Sequence, residues 1–103
     1  MSLTLSVCMS CAGGRDLADA LDQELPAPYQ VNRVSCMNVC TRPASVSLRQ
    51  TGKHAYLFGD VTPAMAENVA TLVTLFDAEE TGAIADARPL GPLRFCLIGR
   101  IPI

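Results

Sequence analysis

The sequence predicts a mixed α/β domain in which a strand–helix–strand opening is followed by a β-hairpin and a second helix. Three observations carry this. Apolar residues recur at helical spacing twice, at Leu17, Ala18, Leu21 and Leu25 and again at Met65, Val69, Leu72, Val73 and Phe76. The run Ala44, Val46, Leu48 alternates with Ser45, Ser47, Arg49, and the turn signal Thr51-Gly52 then introduces the apolar run at residues 54–58. Finally, half of the 103 residues are hydrophobic, enough for one core but not for two domains.

Taken in order, residues 3–7 alternate weakly and predict a first strand that ends at Cys8. Cys8-Met-Ser-Cys11-Ala-Gly13-Gly14 predicts a loop, because paired glycines punctuate the chain before a helical pattern starts. Residues 15–25 form the first helix, with Asp16 near its N-terminus, where the helix dipole favours an anion, and Pro26 and Pro28 beyond its end. Residues 29–35 are apolar enough for a second strand, which delivers the chain to Cys36-Met-Asn-Val-Cys40. Strands at 44–49 and 54–58 make the hairpin. Thr62-Pro63 is a helix start, a capping hydroxyl followed by proline at the first helical position. Residues 77–91 are polar and turn-rich, residues 93–98 are expected to form a last strand, and Pro102 limits any extension beyond it.

A strand–helix–strand opening implies a parallel crossover, and the hairpin adds antiparallel strands to the same sheet. That combination is the logic of a thioredoxin-like single domain with a mixed four- or five-stranded sheet and two main helices. Its core is expected over about residues 1–76 and an extended C-terminal segment over about residues 77–103.

Composition excludes several functions. Eight Lys+Arg against ten Asp+Glu give a net charge of −2, so no basic footprint marks the chain for nucleic acid or an anionic membrane. Aromatics at 5% leave little on which to stack bases. No apolar run approaches the roughly 20 residues that span a bilayer. The first eight residues contain no cation and no export-signal core, which points to a cytoplasmic protein. In that reducing compartment five cysteines call for metal, cluster or redox chemistry rather than structural disulfides.

Four of the five cysteines form two close pairs, Cys8-x2-Cys11 and Cys36-x3-Cys40, each directly after a predicted strand. If those strands are parallel neighbours, both loops leave the sheet at one edge and four thiols converge. Soft thiolates suit an iron–sulfur cluster or Zn2+, and Cys-x2-Cys is a spacing zinc accepts. A third reading is thioredoxin-like thiol–disulfide chemistry at Cys8 and Cys11, since a helix N-terminus lowers a thiol pKa. It leaves the second pair unexplained, and Gly13-Gly14 separates Cys11 from the helix pattern.

The strand–CxxC–helix–strand–CxxxC–strand–strand–helix order resembles the thioredoxin-like [2Fe–2S] ferredoxins, although many of those space the first cysteine pair more widely. More closely, Val7-Cys8-Met-Ser-Cys11, Cys36-Met-Asn-Val-Cys40-Thr-Arg-Pro43, Tyr56-Leu-Phe-Gly59-Asp60, Arg88-Pro89 and Arg100-Ile-Pro102 resemble a small bacterial family of predicted metal-binding proteins. The resemblance implies that Cys8, Cys11, Cys36 and Cys40 are the ligands of a [2Fe–2S] cluster, with Zn2+ as the alternative occupant.

The remaining residues fit around that set. Cys96, in an apolar run, is expected to be packing. The single histidine, His54, is expected to cap a strand. Met37 and Val39 lie between ligands, where they would shield a metal from water. Arg15 and Arg42 flank the cysteine pairs, and Arg88 and Arg100 lie in the tail. No nucleophile with a base, no carboxylate pair and no cofactor-binding glycine motif is visible, so the expectation is an electron carrier and not an enzyme. A non-redox zinc-binding or metal-delivery protein is the alternative. Expected partners are a redox protein of unspecified identity and, through the apolar C-terminal segment, a second copy of the chain.

Overall fold

The computed structural model describes residues 3–10, 13–26, 29–35 and 43–102. Its first strand, β1 (Thr4–Cys8), lies inside the sheet, where alternation turns Leu5 and Val7 to one face and Ser6 and Cys8 to the other. The chain then forms α1 (Gly14–Glu24), β2 (Val31–Val34), β3 (Val46–Arg49) and β4 (Ala55–Phe58). A 3-10 turn (Pro63–Met65), α2 (Ala66–Ala78), a 3-10 segment (Arg88–Cys96) and β5 (Leu97–Ile101) complete it. The strands make one mixed sheet in the order β2-β1-β3-β4-β5. β1 and β2 are parallel, joined through α1, and every other neighbouring pair is antiparallel. This is the thioredoxin-like arrangement that the element order predicts.

Register decides what the helices cover. Leu5 pairs with Leu48, which pairs with Tyr56; Val7 pairs with Val46, which pairs with Phe58. These six residues form a continuous apolar face, and Leu17, Ala18 and Leu21 of α1 with Val69, Leu72, Val73 and Phe76 of α2 join it in one buried cluster. Phe76 is fully buried with its ring edge-on to Tyr56, 6.1 Å between centroids. A side chain of that size buried completely stabilises the fold by roughly 2–3 kcal/mol.

The hairpin turn also holds the end of α2. Lys53 Nζ donates to the carbonyls of Phe76 (2.9 Å) and Asp77 (3.3 Å), a cation placed where the last helical carbonyls are unsatisfied. The chain after α2 is anchored by Tyr56, whose buried hydroxyl donates to the Gly82 carbonyl (2.7 Å) and accepts from the Ile84 N–H (3.1 Å). Gly82 has φ +72 and a Cβ there would lie 2.7 Å from the Phe76 ring, so this crossing admits no larger residue.

Three local expectations change. The last strand is β5, Leu97–Ile101, and not residues 93–98. Pro89, Pro92 and a kink at Gly91 (φ 59) keep the preceding chain in 3-10 turns, and the three-residue period of Leu93 and Cys96 buries both on one side. Thr62 precedes a 3-10 turn rather than α2 itself, and its hydroxyl makes no cap bond. Gly14, read as loop, is the first residue of α1. The C-terminal residues also enter the core rather than trailing from it: Leu90, Leu93 and Cys96 belong to the same buried cluster as β1 and α2.

Candidate functional site

The chain around Cys8 is fixed on three sides. Parallel pairing sets Cys8 beside Val34, and the ladder continues past both strands: Met9 N–H donates to the Val34 carbonyl (2.7 Å) and Ser10 N–H to the Ser35 carbonyl (3.1 Å). On the other side, the Cys8 N–H donates to the carbonyl of Ser45 (3.1 Å), a fully buried residue leading into β3. The third side is α1. A Cβ on Gly14 would lie 2.1 Å from the Cys8 carbonyl oxygen and 3.2 Å from its carbon, so the helix starts against the backbone of the first cysteine. Gly13 makes the approach possible by entering at φ +81, a left-handed conformation that glycine adopts without strain.

Cys8 itself is 0% exposed, with its thiol 3.8 Å from the Ser35 carbonyl oxygen. That oxygen also accepts from the Ser10 hydroxyl. Ser10 and Ser35 are both exposed, so the buried sulfur lies directly beneath a solvent-facing edge of the sheet. In sequence, Ser10 immediately precedes Cys11 and Ser35 immediately precedes Cys36. Cys11, Cys36 and Cys40 lie outside the described residues, as do Met37, Val39 and Arg42. The structure therefore brings together the chain segments that lead into both cysteine pairs, and of the four sulfurs it describes that of Cys8. Among the described residues, no three His, Cys, Asp or Glu side chains gather into a metal-binding group.

The other singled-out residues fall away from this edge. β4 runs parallel to β1, so His54, just before β4, is at the opposite end of the sheet from Cys8. Its backbone N–H donates to the Thr81 carbonyl (2.8 Å). Cys96 is buried, with its sulfur 3.7 Å from Met65 Sδ and 3.7 Å from the Asp60 carbonyl, a packing position as its apolar surroundings predict. Arg88 is turned to Asp86, 2.9 Å away, and the hydrogen bond from the guanidinium holds that carboxyl below its usual range. Arg100 is on β5, three strands from β1. Two described arginines are beside the site: Arg15, exposed in the first turn of α1, and Arg33 of β2, which pairs with Val7 and is bound to Asp19 and Asp22.

Two contributors are not legible in the sequence. Gly14 has the look of loop punctuation, yet its lack of a Cβ is what lets α1 pack on Cys8; only the three-dimensional contact reveals that. Ser10 and Ser35 are ordinary polar residues until the β1/β2 register sets them side by side.

Fold and site together define a small thioredoxin-like α/β domain with a cysteine buried at the C-terminal edge of its parallel strand pair. The chain belongs to the family described as "Protein of unknown function (DUF1636)", which matches residues 5–103 and so takes in both cysteine pairs. No curated protein and no solved structure matches it. No helix among the described residues is long and apolar enough to cross a membrane.

Proposed function

We propose that this chain is a small [2Fe–2S] electron-transfer protein whose cluster is held by Cys8, Cys11, Cys36 and Cys40. The observation that carries the reading is the parallel pairing of β1 with β2, extended by the Ser10–Ser35 hydrogen bond to the residues that adjoin Cys11 and Cys36. Two strands that run side by side in one direction release their loops at one edge, which is what a four-thiolate ligand set drawn from two loops requires. A [2Fe–2S] centre supplies reversible one-electron transfer.

The chain's own residues suit that task. Burial of Cys8 keeps water from a ligand sulfur and lowers the local dielectric, while the exposed Ser10 and Ser35 leave the edge open to a partner's approach. Gly13 and Gly14 bring backbone amides of the first helical turn close to the Cys8 segment, where N–H groups aimed at sulfur would raise a reduction potential.

Burial also weighs against thiol–disulfide catalysis, because a reactive thiolate needs exposure and Cys8 has none. Moreover, α1 begins at Gly14 and Cys8 ends β1, so Cys8 does not belong to the helix whose N-terminus would activate it. Single Cys→Ser changes test the ligand set. Each of Cys8→Ser, Cys11→Ser, Cys36→Ser and Cys40→Ser is expected to lose or strongly diminish the visible absorbance of anaerobically purified protein, whereas Cys96→Ser keeps it. A wild-type spectrum in any of the first four removes that residue from the set.

A further inference from the structure

The two edges of the sheet are built differently. At one edge β2 is four residues long, with Asn32 and Arg33 exposed and Arg33 tied to Asp19 and Asp22 of α1. Polar, side-chain-bonded edges of this kind resist further pairing. At the other edge β5 pairs, among the described residues, only with β4, so its outer N–H and C=O groups face away from the sheet. Its pairing shifts register at Leu57 and Phe58, which sets Leu97 beside Phe58 on the helix-covered face and Ile101 beside Ala55 on the opposite face. Leu97 is 41% exposed and Ile101 60%, and Phe95, two residues before the strand, is 73% exposed. This edge is therefore apolar on both sides of its backbone.

The charge around this edge is one-sided. All ten acidic residues of the chain precede residue 88, and the segment from there on holds Arg88, Arg94 and Arg100. Arg88 is bonded to Asp86. Arg94 lies over the Phe95 ring, 4.7 Å from its centroid, and Arg100 is exposed with no ion pair among the described residues. Arg100 pairs with Tyr56, which places it on the same face as Leu97. Two cations thus accompany an open strand edge in a chain whose net charge is −2.

We propose that β5 is the docking strand for an extended acidic segment of a partner protein, which joins the sheet beside it. Strand addition accounts for three features together. Backbone groups of the incoming segment satisfy the outer N–H and C=O groups of β5. Its side chains alternate between faces, so apolar residues meet Leu97 on one face and Ile101 on the other. Its carboxylates meet Arg100 across the strands and Arg94 where β5 begins. A second β5 brings the same arginines to the edge, and like charges disfavour that pairing. A lipid surface offers anionic headgroups, but it leaves the outer backbone groups unsatisfied wherever the apolar side chains enter hydrocarbon. β5 is three strands from β1, so the segment docks away from Cys8, and the proposal does not depend on what the cysteine edge binds.

Hydrogen exchange of the full chain without added metal, read by NMR, tests this with two probe peptides, one alternating Glu with Val and one alternating Lys with Val. The acidic peptide at about 1 mM should slow exchange at the outer N–H groups within Leu97–Ile101 by about tenfold, the factor for a ligand at about ten times its dissociation constant. The lysine peptide should leave them unchanged. Raising the ionic strength from about 0.05 M to about 0.5 M should weaken the acidic peptide's binding several-fold, because the paired charges are exposed. The double variant Arg94→Glu, Arg100→Glu, at two exposed positions, should reverse the preference, with protection by the lysine peptide and none by the acidic one. No protection of β5 by the acidic peptide, equal protection by both peptides, or a folded variant that keeps the wild-type preference overturns the proposal. Binding to phosphatidylglycerol vesicles without protection by the acidic peptide overturns it in favour of a membrane surface. Should the variant not fold, the wild-type comparison of the two peptides decides the matter.

Discussion

Replacing Gly14 by alanine adds one methyl group at the point where α1 meets Cys8. Helix propensity alone favours the change by about 1 kcal/mol, since glycine is a poor helix residue. Packing opposes it more strongly. The new Cβ would sit 2.1 Å from the Cys8 carbonyl oxygen, more than an ångström inside ordinary contact, and the obstacle is backbone rather than a side chain that can swing away. That carbonyl belongs to a strand held by β2 on one side and by β3 and Ser45 on the other, so the strain falls on the start of the helix. Overpacking of this kind costs about 1–3 kcal/mol and sometimes more. For a backbone clash this close the upper end of that range applies, which leaves a net loss of about 2 kcal/mol, a fall in Tm of roughly 10 °C for a domain of this size. Gly99→Ala is the matched control, the same chemical change with nothing within 4 Å, and should stay within about 0.5 kcal/mol of wild type. Thermal melts followed by circular dichroism on both variants make the comparison. A Gly14→Ala protein as stable as Gly99→Ala would refute the reasoning that α1 is packed against the Cys8 backbone.

Two further perturbations probe the frame around the site. Tyr29 donates a hydrogen bond to Asp77, joining the approach to β2 with the end of α2, and that bond with the carboxylate's charge raises the tyrosine pKa above 10.0. The neutral phenol is the bonded form, so its contribution is present in full below pH 10.0 and is lost as pH rises through the raised value. The Tm advantage of wild type over Tyr29→Phe should accordingly be seen at pH 8 and shrink as the pH rises past the raised value, and an advantage that grows with pH would reverse the assignment. Tyr56→Phe strips the Gly82 carbonyl and Ile84 N–H of their shared partner in a buried position and should cost about 1–3 kcal/mol in urea unfolding. An unchanged midpoint would show that the chain after α2 is not anchored there.

Much of this architecture is written in local patterns. The stripe Leu17, Ala18, Leu21 sets the buried face of α1, and the alternation through Val46 and Leu48 sets that of β3, because periods of 3.6 and 2 leave different marks. Thr51-Gly52 marks the hairpin for a similar reason, with Gly52 at φ +84. The C-terminal segment is harder to read, because an apolar run as short as residues 93–98 does not declare its period. Leu93 and Cys96 are buried by a 3-10 period, whereas Leu97, Ile98 and Ile101 belong to an edge strand and remain exposed. Hydrophobicity alone does not separate a core residue from an exposed one.

The site divides in the same way. That the strands leading into the two cysteine pairs are parallel neighbours is accessible from the crossover rule. The contact between Gly14 and Cys8, the Ser10–Ser35 bridge and the anchoring by Ser45 are not, because each depends on register between segments distant in sequence. Those contacts hold the Cys8 backbone on both sides and accompany a buried sulfur rather than an exposed thiol.

Analysis of iron and acid-labile sulfide in anaerobically purified protein tests the central claim most directly. The proposal predicts about two of each per chain, with visible absorbance that dithionite bleaches. A colourless protein carrying stoichiometric zinc and no sulfide would contradict it.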